Sequence, residues 1–212
     1  MNKKEFLPIV IILVMFAIGF YFYPQMPEKI PIHWNAQGEI DGYGSRFTGL
    51  FLLPMVTVGI YILFLIIPKI AVYKDNIKQF QKYFFAFKVI FILFFFTLYI
   101  ITILQTLGYT FNMNYFIIPA IAALFYFIGH ILKFAKRNFF IGIRTPWTLS
   151  SNEVWNKTHL LGSKTFKIAA IIAFLGLFFG KYGILFILIP ILGVAIFLVV
   201  YSYVIYQKEV KR

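Results

Sequence analysis

The run VIFILFFFTLYIITILQTL, residues 89–107, decides the fold. It holds no charged side chain from end to end. As a helix rising 1.5 Å per residue, a run of this length nearly spans the ~30 Å hydrocarbon core of a bilayer. Working outward, runs of the same kind occupy residues 6–23, 48–67, 115–131 and 182–206. A sixth is weaker, because only 13 uncharged residues separate Lys167 from Lys181. Lysines that snorkel and a locally thinned bilayer allow so short a span. Pro68 is expected to end the second run, and Pro54, in its first two turns, predicts a kink or a late start. The first run follows Lys3 and Lys4 like a signal peptide, but Pro24, Gln25 and Met26 offer no small-residue cleavage site. It reads as an uncleaved anchor.

Composition agrees. Of 212 residues, 61% are apolar, 13% charged and 21% aromatic. Those values exclude a disordered chain, a collagen-like chain and an ordinary soluble enzyme. There is no cysteine, hence no disulfide framework, thiolate metal site or Cys nucleophile. The net charge of +13 resembles a nucleic-acid signal until the charges are located. With six spans, 17 Lys and Arg fall on one side and only Lys29, Arg46 and Lys181 on the other. The positive-inside rule then places both termini in the cytoplasm. The expected fold is an all-α polytopic membrane protein with six transmembrane helices in the cell membrane, without direct nucleic-acid contact. A division at residue 68 separates two spans and an external loop (1–68) from a four-span region (69–212) with a cytoplasmic loop at 133–167.

No Asp, Glu, Lys or Arg is expected deep in a span, which argues against an ion-coupled transporter but not against a passive pore. Thr57, Thr97, Thr102, Thr106 and Ser202 are expected to bond back to their own helices, with Gln105 near an outer end. His130 reads as an interfacial histidine. Ala169, Ala173, Gly176 and Gly180 line one face of the fifth span, which suits close helix packing within the bundle or dimerisation.

The external loop, residues 24–46, reads PQMPEKIPIHWNAQGEIDGYGSR. Its three prolines favour a stiff, extended start, and Gly38, Asp41-Gly42 and Gly44 signal turns. His33, Glu39 and Asp41 form a weak metal pattern. A compact loop with Trp34 at the headgroups competes with a recognition surface, which such a loop suits by losing little entropy on binding.

The cytoplasmic segment 138–166 reads NFFIGIRTPWTLSSNEVWNKTHLLGSKTF. Pro146 keeps Thr145 out of a helix. Ser150 and Glu153 fit a capping box, Gly162 fits the residue after the helix, and a short amphipathic helix lying on the membrane is expected between them. Glu153 and His159 are six apart and share no helix face, so a catalytic dyad is not expected. Arg144, Lys157, Lys164 and Lys167 read as solvated or headgroup-facing charge, with lipid phosphate or an acidic partner as the sharper reading.

The stretch NFFIGIRTPWTLSSNEVWNKTHLLG closely resembles the signature of the SdpI family, membrane immunity proteins against a secreted sporulation-delaying peptide toxin. The external IPIHWNAQGEIDGYG resembles the small domain of unknown function that often precedes it. The resemblance implies a six-helix membrane protein with no known enzymatic activity, and no cofactor is expected. It implies protection from a membrane-active toxin, and signalling by holding a soluble transcriptional repressor at the membrane. It points to Pro31, His33, Trp34, Gly38 and Asp41 outside as toxin- or ligand-recognising residues. Inside it points to Gly142, Arg144, Thr145, Pro146, Trp147, Glu153, Trp155, Asn156, Thr158 and His159. The alternatives are a small-solute transporter or channel and, more remotely, an inner-leaflet enzyme built on Arg144, Glu153 and His159.

Overall fold

Each uncharged run folds as a helix, because a segment in hydrocarbon must satisfy its backbone polar groups internally. The computed structural model describes residues 3–211. Its order is α1 (Phe6–Phe22), β1 (Lys29–Trp34), β2 (Ile40–Ser45), α2 (Arg46–Ile70), α3 (Lys74–Gln79), α4 (Gln81–Thr106), α5 (Asn114–Leu132), α6 (Pro146–Ser150), α7 (Asn152–Leu175) and α8 (Leu185–Val210). Among the described residues, α2, α4, α5, α8 and the stretch Asn152–Tyr182, kinked at Phe179 and Gly180, are long and apolar enough to cross a membrane, while α1 is a shorter apolar helix.

The all-α expectation needs one amendment. Residues 29–45 form an antiparallel hairpin with irregular register, pairing Pro31 with Tyr43, His33 with Gly42 and Trp34 with Ile40. The extended backbone that the prolines favour is also strand backbone, and β2 supplies a partner for it. Ile30 is fully buried beneath the hairpin with Met26 of the preceding turn and Met15, Leu50, Phe51 and Tyr99 of the neighbouring helices. A second cluster, around Phe64, Phe80 and Phe84, lies toward the other end.

Helix boundaries also differ from expectation. The second helix starts at Arg46, where Ser45 accepts the Thr48 N–H, and runs through Pro54 and past Pro68 to Ile70. Pro54 deprives only the Leu50 carbonyl of a helical donor, and Pro68 sits so near the end that little is lost. The weak fifth span is resolved differently again. The polar stretch after Ser151 is not a separate surface helix; it is the first half of α7, which continues through Gly162. Gly162 is a close-packed residue inside the helix, where an added Cβ would lie 2.7 Å from the Ile143 side chain. Ala169, Ala173 and Gly176 are buried inside the bundle, whereas Gly180 is exposed. The span hydroxyls do bond to their own helices, as with Thr57 to Leu53 and Thr102 to Leu98.

One charge lies further in than the sequence suggested. Because α4 begins at Gln81, Lys88 sits two turns inside it and is only 3% exposed. Its ammonium donates to both carboxylate oxygens of Glu5 at 2.6 Å, and Tyr61 donates to the same carboxylate at 3.1 Å. Pairing is what allows the charge to be buried there.

Candidate functional site

Polar side chains gather at the two ends of the bundle. At the hairpin end, Asn35 folds the tip by accepting the N–H groups of Gln37 and Glu39. Gly38 adopts φ +78°, a conformation that other residues rarely take. The tip is then tied to the segment between α4 and α5. Asn112 donates to the Gln37 carbonyl at 2.6 Å, Asn114 to the Ala36 carbonyl at 3.0 Å, and the Met113 N–H to the Gly38 carbonyl at 3.1 Å. An added Cβ at Gly38 would collide with the Asn112 amide. Trp34 is half-buried rather than resting free among headgroups. Its indole donates to Gln105 at 2.7 Å, and the Gln105 amide donates to the Phe111 carbonyl at 2.9 Å.

The expected external residues therefore divide. Pro31 and Gly38 are buried, and Trp34 is an anchor. His33 and Asp41 remain exposed and pair with each other through Nδ1 and Oδ1. Glu39 does not join them; its carboxylate accepts from Asn35. Glu39 and Asn112 line two open cavities, one bounded by Tyr109 and Phe111, the other by Tyr115 and Lys181. The roles of Gln105, Asn112 and Asn114 were not foreseen. Their only sequence trace is a polar cluster beside the apolar run, with partners some 70 or more residues away.

At the opposite end, the segment from Lys133 to Ser151 is folded by its own short-range bonds. The Asn138 side-chain Oδ1 accepts the Phe140 and Ile141 N–H groups, and its Nδ2 donates to the Lys136 and Ile141 carbonyls. Thr145 and Thr148 form a reciprocal capping box with Pro146 in the first turn of α6. The cap of the next helix is Ser151, not Ser150, whose hydroxyl donates to the Pro146 carbonyl instead. A threonine followed by proline, with a second threonine three residues on, was the overlooked start signal.

Trp155 and His159 form the centre. They are 1% and 2% exposed and stack at 3.9 Å between ring centroids. Trp155 therefore packs inside the protein. Its indole donates to the Ala135 carbonyl at 2.8 Å. His159 bonds through both ring nitrogens, Nδ1 to the Trp155 carbonyl at 2.8 Å and Nε2 to the Ile143 N–H at 3.0 Å. Since Nε2 accepts a backbone N–H, the proton must reside on Nδ1 and the ring is neutral. Gly142, at φ +123°, lies so close that any Cβ would strike His159 Nε2. Two further ties reach α8. The Thr145 hydroxyl bonds Ser202 at 3.0 Å, and Ser151 donates to the Glu209 carboxylate.

Arg144, Pro146, Glu153 and Asn156 are instead exposed, and Trp147 lies half-buried on Tyr203. Arg144 donates to the Phe139 carbonyl at 2.6 Å, and Glu153 pairs with Lys157. Thr158 is buried, and its hydroxyl has no hydrogen-bond partner. His159 has both nitrogens engaged, so it holds no free base or nucleophile. As geometry, this end is a clamp joining the 133–145 segment, α7 and α8.

Residues 135–203 match the SdpI/YfhL protein family, and residues 10–58 match a domain of unknown function, DUF1648. The immunity protein SdpI of Bacillus subtilis (strain 168) is 30% identical over 211 residues, covering 97% of each chain. The chain belongs to the SdpI/YfhL family. It is accordingly a multi-pass membrane protein, and its family is not known for enzymes. No solved structure matches it. The SdpI/YfhL segment starts at Ala135, which receives the Trp155 indole, and ends at Tyr203, on which Trp147 rests. The DUF1648 segment contains the whole hairpin.

Proposed function

We propose that this chain is an integral membrane immunity protein that protects its cell from a secreted, membrane-active peptide toxin. In this reading it has six spans with both termini in the cytoplasm. The excess of 17 basic residues on one side supports that topology. The likeness to an immunity protein over nearly the whole chain supports the role. The observation that carries the reading is the outward platform. A hairpin tip tied to the α4–α5 segment presents His33, Asp41 and Glu39 beside open cavities, with little ordering left to be lost on binding.

In this proposal Pro31, Trp34 and Gly38 shape the recognition surface and the exposed acidic and imidazole groups meet the toxin. Residues 1–68 supply most of that surface, and 69–212 carry the clamp. Gly142, Thr145, Trp155, Thr158 and His159 hold the clamp together. Arg144, Pro146, Trp147, Glu153 and Asn156 form the output face toward a soluble transcriptional repressor. Deleting the gene should sensitise cells to the cognate toxin, and unchanged killing would overturn the immunity role. The signalling step predicts a fluorescently tagged repressor at the membrane only when toxin is present. A repressor that stays cytosolic in both conditions removes that step.

A further inference from the structure

A cavity of about 210 Å³ lies between α4, α5, α7 and the 140–143 turn. Phe87, Ile128, Ile131 and Phe166 supply helix walls, and Gly142 and Ile143 supply the turn. No side chain in its wall carries a hydrogen-bonding group. Water needs two to four polar partners to settle in such a space, and an engineered apolar cavity of about 150 Å³ stays dry and takes up benzene. Backbone groups are the only polar part of the wall, which favours an apolar occupant.

Its depth says which hydrocarbon. Three lining residues, Phe87, Leu132 and Phe166, are each followed directly by a lysine. Lys133 is exposed, Lys167 is half-buried with its ammonium 5.7 Å from the Tyr126 ring centre, and Lys88 is tied to Glu5. Lys133 caps the C-terminal end of α5, and a lysine at the end of an apolar helix marks the headgroup level, its stem lying along apolar surface. The cavity thus sits where the outermost hydrocarbon begins. We propose that it seats the acyl chain of one phospholipid from the leaflet on the side of the 133–151 segment. The chain then packs against the turn that presents the Ile143 N–H to His159, so the bound lipid helps hold the clamp.

The full-length protein, reconstituted in phosphatidylglycerol vesicles whose chains carry a diazirine near the glycerol end, tests this. Irradiation and peptide mapping should place adducts on the 140–143 turn and on Phe166. Ile128→Phe, which fills the space, should reduce those adducts several-fold while leaving labelling of the exposed Ile168, Ile171 and Ile189 unchanged. Ile141→Phe narrows the cavity from the opposite wall and should act alike, which covers a failure of the first variant to insert. Adducts confined to the exposed residues would overturn the proposal. So would undiminished labelling of the turn in a folded filling variant.

Discussion

Ile143 gives its backbone N–H to His159 Nε2 at 3.0 Å, and so a loop before α6 is fastened to the inside of α7. The acceptor is a neutral ring whose other nitrogen is already committed to Trp155. The bond fastens to α7 a segment that its own short-range bonds already fold.

Replacing His159 by Phe keeps the stack on Trp155 but strands the Ile143 N–H. A buried donor left unpaired costs about 1–3 kcal/mol. The variant should unfold earlier in detergent and accumulate less in membranes. Unchanged thermal unfolding would show that the bond contributes nothing.

Gly142→Ala should be worse than its size suggests. The substitution combines an unfavourable φ of +123° with a collision at His159 Nε2. Strained backbone alone costs on the order of 1–3 kcal/mol. The expected readout is loss of folded protein, together with greater protease sensitivity of the 133–151 segment. A variant as resistant as the parent would contradict the geometry.

The Trp34–Gln105 bond predicts coupling between hairpin and bundle. Trp34→Phe and Gln105→Ala should each weaken the platform by roughly 0.5–1.5 kcal/mol, and their effects should not add in a double-mutant cycle. Hydrogen exchange should quicken in the hairpin and not in α7 or α8. Strict additivity would mean that the two side chains act independently.

Glu5 is partly exposed but holds the buried Lys88 ammonium, so removing the carboxylate strands a charge. Glu5→Gln should destabilise by about 3–5 kcal/mol, and adding Lys88→Met to it should recover part of that loss. Thermal unfolding of the two variants in one detergent checks the sign. A double variant less stable than the single would refute the account.

If the platform meets the toxin, Glu39→Ala and Tyr109→Ala should reduce survival under toxin challenge without changing protein level. Both residues are exposed and line the same cavity. Full protection at normal expression would remove this cavity from the recognition surface.

The sequence by itself determined the helices and their apolar character. Uncharged runs near membrane length have one way to satisfy their backbones, and the hydroxyls inside them bond locally. It also marked the two loops that matter, through their turn residues, prolines and tryptophans. It misplaced the boundaries around 150–167, because a polar stretch before a short apolar run looks like two elements when read along the chain. Burial of Val154, Trp155, Thr158 and His159 makes it one helix. Only the tertiary structure decided which motif residues are internal and which face outward. Pairings such as Trp34 with Gln105, Glu5 with Lys88 and Thr145 with Ser202 join residues more than 50 positions apart. No local pattern encodes such partners, since each bond exists only after the helices have packed.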